Sequence, residues 1–321
     1  MSIHRPLAGL VALSLLVVAC SSAPAAGSAS PSASATAAAS PSASPSASAS
    51  ASPSVKPTPT PTPSPTPAPT PVTLTLSGHV WWGGYVIDVT GATYDPLKRK
   101  LNIAATFLNT STADNDVSGL GAKLNVVWNS TYINGYIPVG AVPAGGTVKA
   151  DIQVTAPAGF VPADAVLTFG QPTDHQATVP LNGSPSASDQ PTTLSVSGVV
   201  KMGTTVKYTI TKGTLMPAAC SGTAAKIKFG AAKKGEMSII VFGTATNSAT
   251  TDGTIDLGFL DVPDGTSSAA NPAVYLYLGA KQTVRDYGLC FLVPGPGSGT
   301  YKLSLHEARS KATGTLSFQV P

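Results

Sequence analysis

The sequence predicts an all-β protein in which two β-sandwiches follow a disordered segment rich in Ser, Ala, Pro and Thr. Short runs of alternating apolar and polar residues recur along the last ~250 residues and are separated by Gly, Pro, Asn and Asp, as in strands joined by turns. The same region contains one internal repeat, and each copy has about the length of one domain, roughly 100 to 150 residues. These two observations favour a pair of sandwiches over one larger domain.

The chain begins with a short apolar stretch. His4 and Arg5 precede the 13 residues 7–19, which are mostly Leu, Val and Ala. A basic start, an apolar run and a small residue before the cleavage point are typical of a secretory signal peptide. The run is too short to span a bilayer, which takes about 20 residues. We therefore interpret residues 1–19 as a signal peptide.

A cysteine follows this stretch directly. The tetrapeptide Val17-Val18-Ala19-Cys20 resembles the lipobox of bacterial lipoproteins. In that family the cysteine is diacylated and becomes the mature N-terminus, so the resemblance implies lipidation of Cys20 and an anchor in membrane lipid. Acyl chains hold a protein on a bilayer without crossing it. We expect the mature protein at the extracellular face of the bacterial cell membrane; an ordinary secretory signal with an incidental cysteine is the alternative.

Residues 20–71 form the predicted stalk. Lys56 is the only charged residue in this segment, which consists almost entirely of Ser, Ala, Pro and Thr. Such a chain cannot bury enough apolar surface to offset the entropy cost of ordering it. The Thr-Pro alternation of residues 57–71 favours extended polyproline II structure. The sequence therefore predicts a disordered stalk that carries the folded part away from the membrane.

The folded part contains an internal duplication. Residues Leu74-Thr-Leu-Ser-Gly-His-Val-Trp-Trp-Gly83 align with Leu194-Ser-Val-Ser-Gly-Val-Val-Lys-Met-Gly203, and residues 85–90 align with residues 206–211. In both copies the apolar residues alternate with polar ones, as expected for a strand with one buried face. The alignment therefore predicts the same pair of strands at the start of each copy.

This duplication divides the chain into a β-sandwich at 72–182, a linker at 183–191 and a second β-sandwich at 192–321. The second copy carries about 15 extra residues, and each copy has the length of a small β-sandwich domain. Each copy resembles the Ig-like extracellular domains found in many bacterial lipoproteins. This resemblance implies the fold and no functional residues.

Trp81 is the candidate that differs most between the two copies. It aligns with the charged Lys201, and we therefore expect its side chain on a solvated face. An exposed indole can stack on the apolar face of a sugar ring or anchor a protein partner. With the nearby His79 and Tyr85 it forms the candidate ligand-binding site. The alternative is that Trp81 packs against the second domain or a loop.

Two cysteines remain once Cys20 is lipidated. The cell exterior is oxidising, so we expect Cys220 and Cys290 to form a disulfide; two buried free thiols are the alternative. A metal site at these cysteines is not indicated, because neither has a neighbouring Cys or His.

An acidic turn is a weak metal candidate. Asp114 and Asp116 flank Asn115, and calcium prefers such clusters of oxygen ligands. The turn lacks the bidentate Glu of an EF-hand loop, and Asp and Asn are also ordinary turn residues. We therefore predict no resident metal and no other cofactor.

Enzyme chemistry is not indicated. The chain has no nucleophile elbow, zinc-protease motif or phosphate-binding loop, and His79, His175 and His306 are far apart in sequence. Nucleic acid is not an expected partner of a lipid-anchored exterior protein. The sequence predicts a cell-surface lipoprotein with non-enzymatic binding or adhesion domains for polysaccharide or protein. A structural envelope spacer and an accessory subunit of an envelope complex are the alternatives.

Overall fold

The computed structural model describes residues 68–118, 123–223 and 225–321. These residues form antiparallel strands without an α-helix, so the predicted all-β class is confirmed. A short 3-10 helix, Pro162–Asp164, precedes one of the strands. Nothing helical in these ranges is long and apolar enough to cross a bilayer. The predicted signal peptide, Cys20 and most of the predicted stalk lie outside the described residues.

In the described residues, the first sandwich contains ten strands. They are β1 (Val72–Trp82), β2 (Tyr85–Asp95), β3 (Lys100–Asn109), β4 (Asn115–Asp116), β5 (Leu124–Trp128), β6 (Thr131–Tyr136), β7 (Ala141–Val142), β8 (Thr147–Thr155), β9 (Val166–Phe169) and β10 (Ala177–Pro180). Eight of them form one sheet in the order β1-β2-β3-β8-β6-β5-β9-β10, and β4 pairs with β7.

This eight-stranded sheet encloses a core between its two halves. Among the strands that the structure describes, the halves join through β6 and β8, where Gly135 lies opposite Val154 and Tyr136 opposite Gln153. The inward residues of both halves belong to one buried cluster. Trp82 is part of that core, and its ring lies 6.2 Å from the ring of Phe169. The third tryptophan, Trp128, is partly buried and packs edge-to-face against Phe160 at the margin of the core.

The second sandwich consists of two five-stranded sheets. One contains β11 (Thr192–Leu194), β12 (Gly198–Met202), β13 (Val206–Met216), β16 (Glu236–Asn247) and β20 (Thr283–Pro294). The other contains β17 (Gly253–Asp261), β18 (Ser267–Ala269), β19 (Leu276–Leu278), β21 (Gly299–Glu307) and β22 (Ala312–Val320). Their inward residues form a second buried cluster, in which the hydroxyl of Tyr208 donates to the carbonyl of Tyr287 at 2.6 Å.

An extra hairpin lies between β13 and β16. Its strands are β14 (Ala218–Thr223) and β15 (Lys226–Ala231), which pair only with each other. The first sandwich joins the equivalent strands β2 and β3 through the short turn 96–99. Cys220 on β14 is bonded to Cys290 on β20, so the predicted disulfide is confirmed. The bond ties the hairpin to the sheet of the second sandwich.

The two sandwiches begin with the same pair of strands. Trp82 lies opposite Tyr85 in the first, and Met202 lies opposite Val206 in the second. Further along, β2 shifts register between residues 89 and 91 and β13 between residues 210 and 212, so both bulge at a threonine. The sequence alignment of these segments therefore describes equivalent positions in three dimensions.

Candidate functional site

Trp81 is buried, so the prediction that its indole is exposed is wrong. Only 3% of the residue is accessible, and it packs against Met216 and Phe229 in a third apolar cluster that also contains the disulfide. The equivalent position in the second sandwich, Lys201, is exposed as expected. The difference arises because hairpin β14–β15 covers this face in the first sandwich. Sequence comparison could not show which element would cover it.

The hairpin also hydrogen-bonds to the first sandwich. The amide of Ile227 donates to the hydroxyl of Thr112 at 2.8 Å, and the amide of Thr112 donates back to the carbonyl of Ile227 at 3.1 Å. The amide of Phe229 donates to Ser111 Oγ at 3.3 Å, and Asn115 Nδ2 donates to the carbonyl of Phe229 at 3.0 Å. The two sandwiches are therefore joined by both apolar packing and hydrogen bonds.

The position of Gly84 shows how closely the hairpin approaches. Gly84 has a φ of +89°, and a Cβ placed there would lie 2.6 Å from the Cβ of Phe229. Only glycine combines this backbone conformation with the missing side chain. The turn between β1 and β2 is thus shaped to receive the hairpin.

The linker forms a second connection. Ser186 Oγ accepts the amide of His79 at 3.2 Å and donates to its carbonyl at 3.0 Å, and Ser188 Oγ accepts the amide of Trp81 at 3.0 Å. Between them, Ala187 bridges Thr178 of β10 through two backbone hydrogen bonds. The linker therefore lies in the gap between β1 and β10 and occupies the free edge of each strand.

His175 is a third connection. Its Nδ1 lies 2.6 Å from a carboxylate oxygen of Asp189 in the linker, and its Nε2 lies 2.8 Å from the carbonyl of Glu236 in β16. The backbone of His175 also donates to the carbonyl of Ala232 at 3.0 Å. One residue of the first sandwich thereby holds the linker and the second sandwich.

The predicted ligand-binding residues do not share one exposed surface. His79 is exposed and pairs with Asp88 at 2.6 Å. Tyr85 is fully buried and packs edge-to-face on Phe107, and its hydroxyl contacts no donor or acceptor among the described residues. Burial, together with the charge of Asp116, raises the pKa of Tyr85 well above its ordinary value. Tyr85 is therefore a core residue, which the alternation of the following strand could have indicated.

The carboxylate oxygens of the acidic turn accept hydrogen bonds from neighbouring protein groups. Asp114 Oδ1 accepts the amide of Ala144 at 3.3 Å. Asp116 Oδ1 accepts the amide and the hydroxyl of Ser118 at 2.8 and 2.7 Å. Within the described ranges, no three His, Cys, Asp or Glu side chains are grouped so that they could hold a metal ion.

A shallow cleft remains at the junction beside Trp81. Its volume is about 450 Å³, and its apolar side is formed by Val86, Met216, Phe229 and Phe242. Threonine hydroxyls and Lys212 form its rim. The indole Nε1 of Trp81 has no acceptor among the described residues, but that atom is itself inaccessible. The cleft therefore combines an apolar side with threonine hydroxyls and one lysine.

A different surface groups four exposed apolar side chains. Tyr275 and Tyr277 are 74% and 54% exposed, and Leu257 and Phe259 are 47% and 40% exposed. Leu276 and Leu278, which alternate with the tyrosines, are buried, so the tyrosines point away from the core. We call Leu257, Phe259, Tyr275 and Tyr277 the outer aromatic face. Sequence reasoning missed it, although the alternating run Val274-Tyr-Leu-Tyr-Leu278 was a signal for it.

Strand register places these residues on neighbouring strands of one sheet. Tyr277 on β19 lies opposite Thr254 of β17, and Leu257 and Phe259 lie further along β17, where Phe259 is opposite Ala269 of β18. On the other side of β17, Ser304 lies opposite Phe259 and His306 opposite Leu257. The outer aromatic face is therefore continuous with a strip of small polar side chains on the neighbouring strands.

No protein-family model matches the chain, and no similar sequence was found among curated proteins. A functional proposal for this chain therefore depends on its own residues and contacts.

Proposed function

We propose that this protein is a bacterial cell-surface lipoprotein whose two β-sandwiches act as a non-enzymatic binding module for a polysaccharide or a surface protein. The observation that carries this proposal is the outer aromatic face. Singly exposed apolar residues are ordinary on a protein surface, whereas a group of them with polar neighbours is typical of an interaction site. Exposed tyrosines supply a large contact area at a low entropy cost.

The junction supports this proposal. Hairpin β14–β15, the linker and His175 each connect the two sandwiches, so the face is presented on one preorganised body. Preorganisation lowers the entropy that binding must overcome. In the proposed arrangement, lipid on Cys20 and the stalk supply attachment and reach, and the folded part supplies recognition.

The anchor is tested by metabolic labelling. Cells that express the full chain are grown with a radioactive or clickable palmitate analogue, and a Cys20→Ser variant is run in parallel. We expect label in the wild-type protein alone, with protease added to intact cells removing the folded part. Equal labelling of the Cys20→Ser variant, or protection from the protease, would contradict the proposed attachment and location.

The binding role is tested on envelope material. The purified full chain is incubated with isolated envelope fractions, and retention is compared with that of a Tyr275→Ala/Tyr277→Ala variant. A Tyr132→Ala/Tyr136→Ala variant is the matched control, because those tyrosines are also exposed but lie on β6 of the first sandwich. We expect only the first variant to lose retention.

A structural spacer is the second candidate. The burial of Trp81 beneath the hairpin favours it, because the aromatic residue predicted to bind a ligand instead holds the two sandwiches together. A spacer should show no specific retention on any envelope fraction. It should also be indifferent to substitution of Tyr275 and Tyr277.

A further inference from the structure

The outer aromatic face has the chemistry of a sugar-binding platform. We infer that it binds an uncharged polysaccharide, with Tyr275 and Tyr277 stacked on sugar rings and the hydroxyls of β21 and β22 hydrogen-bonded to the sugar hydroxyls. This inference rests on the proposed binding function and specifies its ligand class.

The first step in the argument is the arrangement of the aromatic rings. Tyr275 and Tyr277 are two residues apart, so their side chains leave the strand about 6.6 Å apart on the same side. Leu257 and Phe259 lie on the adjacent strand and are offset along it, because Tyr277 is opposite Thr254 and Phe259 is opposite Ala269. The four side chains therefore spread both along and across the sheet and make an extended surface. Such a surface fits a linear chain better than a compact ligand.

The second step is the fixed orientation of one ring. The hydroxyl of Tyr277 donates to Asp252 Oδ2 at 2.5 Å, and this hydrogen bond raises the pKa of Tyr277 above its ordinary value. Asp252 is held in turn by the amide of Ala280, which donates to Oδ1 at 3.2 Å. The ring is therefore tethered at its polar end while its face stays accessible. A tethered ring loses little rotational freedom when it stacks on a sugar.

The third step is the charge of the surface. Asp256 pairs with His306 at 2.6 Å, and Asp261 lies 4.0 Å from Lys302 on the next strand. Asp252, which accepts the Tyr277 hydroxyl, adds a third carboxylate to this surface. An anionic polymer would need basic groups in excess, and the carboxylates of Asp252, Asp256 and Asp261 would repel it. The charge of the face therefore favours a partner without negative charge.

The fourth step is the polar half of the same sheet face. Ser304 lies opposite Thr315, and Thr313 lies opposite His306, so short hydroxyl side chains continue outward from the outer aromatic face. Thr313, Thr315 and Ser317 are exposed. A sugar chain presents apolar ring faces and hydroxyl edges together. Aromatic side chains beside a hydroxyl strip match both features.

The experiment uses the purified full chain in detergent and measures depletion from solution by insoluble matrices. Cellulose, chitin and a β-1,3-glucan are the uncharged probes, and alginate and dextran sulfate beads are the charged ones. We expect saturable adsorption to at least one uncharged matrix. The Tyr275→Ala/Tyr277→Ala variant should adsorb at least tenfold more weakly, and the Tyr132→Ala/Tyr136→Ala control should stay within twofold of the wild type. Circular dichroism of each variant establishes that the fold is intact.

The control is matched in residue type and exposure but differs in geometry. Tyr132 and Tyr136 are four residues apart on β6, with the exposed Asn134 between them on the same side. Their side chains are therefore about twice as far apart along the strand as those of Tyr275 and Tyr277, with a polar residue between them. Equal losses in both variants would mean that exposed tyrosines adhere nonspecifically and would overturn the inference.

The remaining outcomes separate this inference from the proposed function. Adsorption to uncharged matrices that survives the Tyr275/Tyr277 substitutions would overturn the inference and leave a binding function elsewhere. Retention only on charged matrices or on an envelope protein would overturn the ligand class alone. A wild-type dimer in sedimentation velocity that the same substitutions dissociate would assign the face to a second copy. No retention on any matrix or envelope fraction would overturn both proposals.

Discussion

Asn109 at the end of β3 and Asn247 at the end of β16 make the same hydrogen bonds in the two sandwiches. Asn109 Nδ2 donates to the carbonyls of Ala113 and Val142, both at 2.9 Å. Asn247 Nδ2 donates to the carbonyls of Thr251 at 2.8 Å and Gly279 at 3.1 Å. In each case Oδ1 accepts the amide two residues further along. Each asparagine thus ties the loop that follows its strand to a second loop about 30 residues later.

The asparagine pair leads to a stability prediction. Substitution of Asn109 or Asn247 by Asp keeps the shape but replaces the donor with a carboxylate that faces two carbonyls. Both side chains are buried, so we expect each change to lower the free energy of unfolding by about 3 kcal/mol. Urea denaturation at neutral pH measures this. Asn134→Asp, at an exposed position of β6, is the control and should change the free energy of unfolding little. Similar losses at all three positions would mean that the buried hydrogen bonds of Asn109 and Asn247 are not the cause.

Trp81 should contribute to stability through the junction. Trp81→Ala removes a buried indole that packs on Met216 and Phe229, and we expect a loss of about 4 kcal/mol. Lys201→Ala at the equivalent exposed position should change the free energy of unfolding by less than about 0.5 kcal/mol. Denaturant titration of both variants and the wild type measures their free energies of unfolding. A Trp81→Ala variant as stable as the wild type would mean that the indole is not enclosed in solution.

The disulfide should hold the hairpin against the first sandwich. Cys220 and Cys290 are 70 residues apart, and closing such a loop stabilises a chain by about 4 kcal/mol in the chain-entropy description. A Cys220→Ser/Cys290→Ser variant should lose a similar amount of its free energy of unfolding. Hydrogen exchange should also accelerate at the amides of Ile227 and Phe229, which donate across the junction. Unchanged protection of these two amides would show that the hairpin docks without its covalent tether.

Glu307 should make stability depend on pH in the acid range. Burial opposes its ionisation, but hydrogen bonds from Ser310, Thr254 and Arg309 outweigh burial and lower the pKa of Glu307 from 4.5 to about 2. The stabilisation that ionised Glu307 provides is therefore complete at pH values above its pKa in the unfolded chain. It is lost as the pH falls towards its pKa in the folded protein. The stability difference between the wild type and Glu307→Gln should shrink by about 3 kcal/mol between pH 6 and pH 2. Urea titrations at several pH values measure it, and a constant difference would contradict the depressed pKa.

Local patterns were sufficient where the outcome depends on the chain's own periodicity. The alternation in Leu74–Gly83 and Leu194–Gly203 predicted paired strands, and the structure pairs both segments with the strands that follow. The disulfide was predicted from compartment and cysteine count, and Cys220 and Cys290 are bonded. Predictions for the signal peptide, Cys20 and the stalk concern residues that the structure does not describe, and they stay predictions.

The candidate site was predicted less well, because exposure depends on what lies over a strand. Trp81 and His79 occupy the same side of β1, yet hairpin β14–β15 buries Trp81 while His79 stays exposed. The extra residues of the second copy were visible in the sequence. Their docking on the first copy depends on contacts between residues more than 100 positions apart, such as Thr112 and Ile227.

The sequence by itself predicted the all-β class, the strand alternation and the pairing of Cys220 with Cys290, because these follow from local periodicity and from composition. Only the tertiary structure decided that Trp81 is buried, that the Ser-rich linker occupies a strand edge and that Tyr275, Tyr277, Leu257 and Phe259 share one face. These features depend on which surfaces meet after folding. A residue's neighbours along the chain set which way it points, and residues distant in sequence set what it meets there.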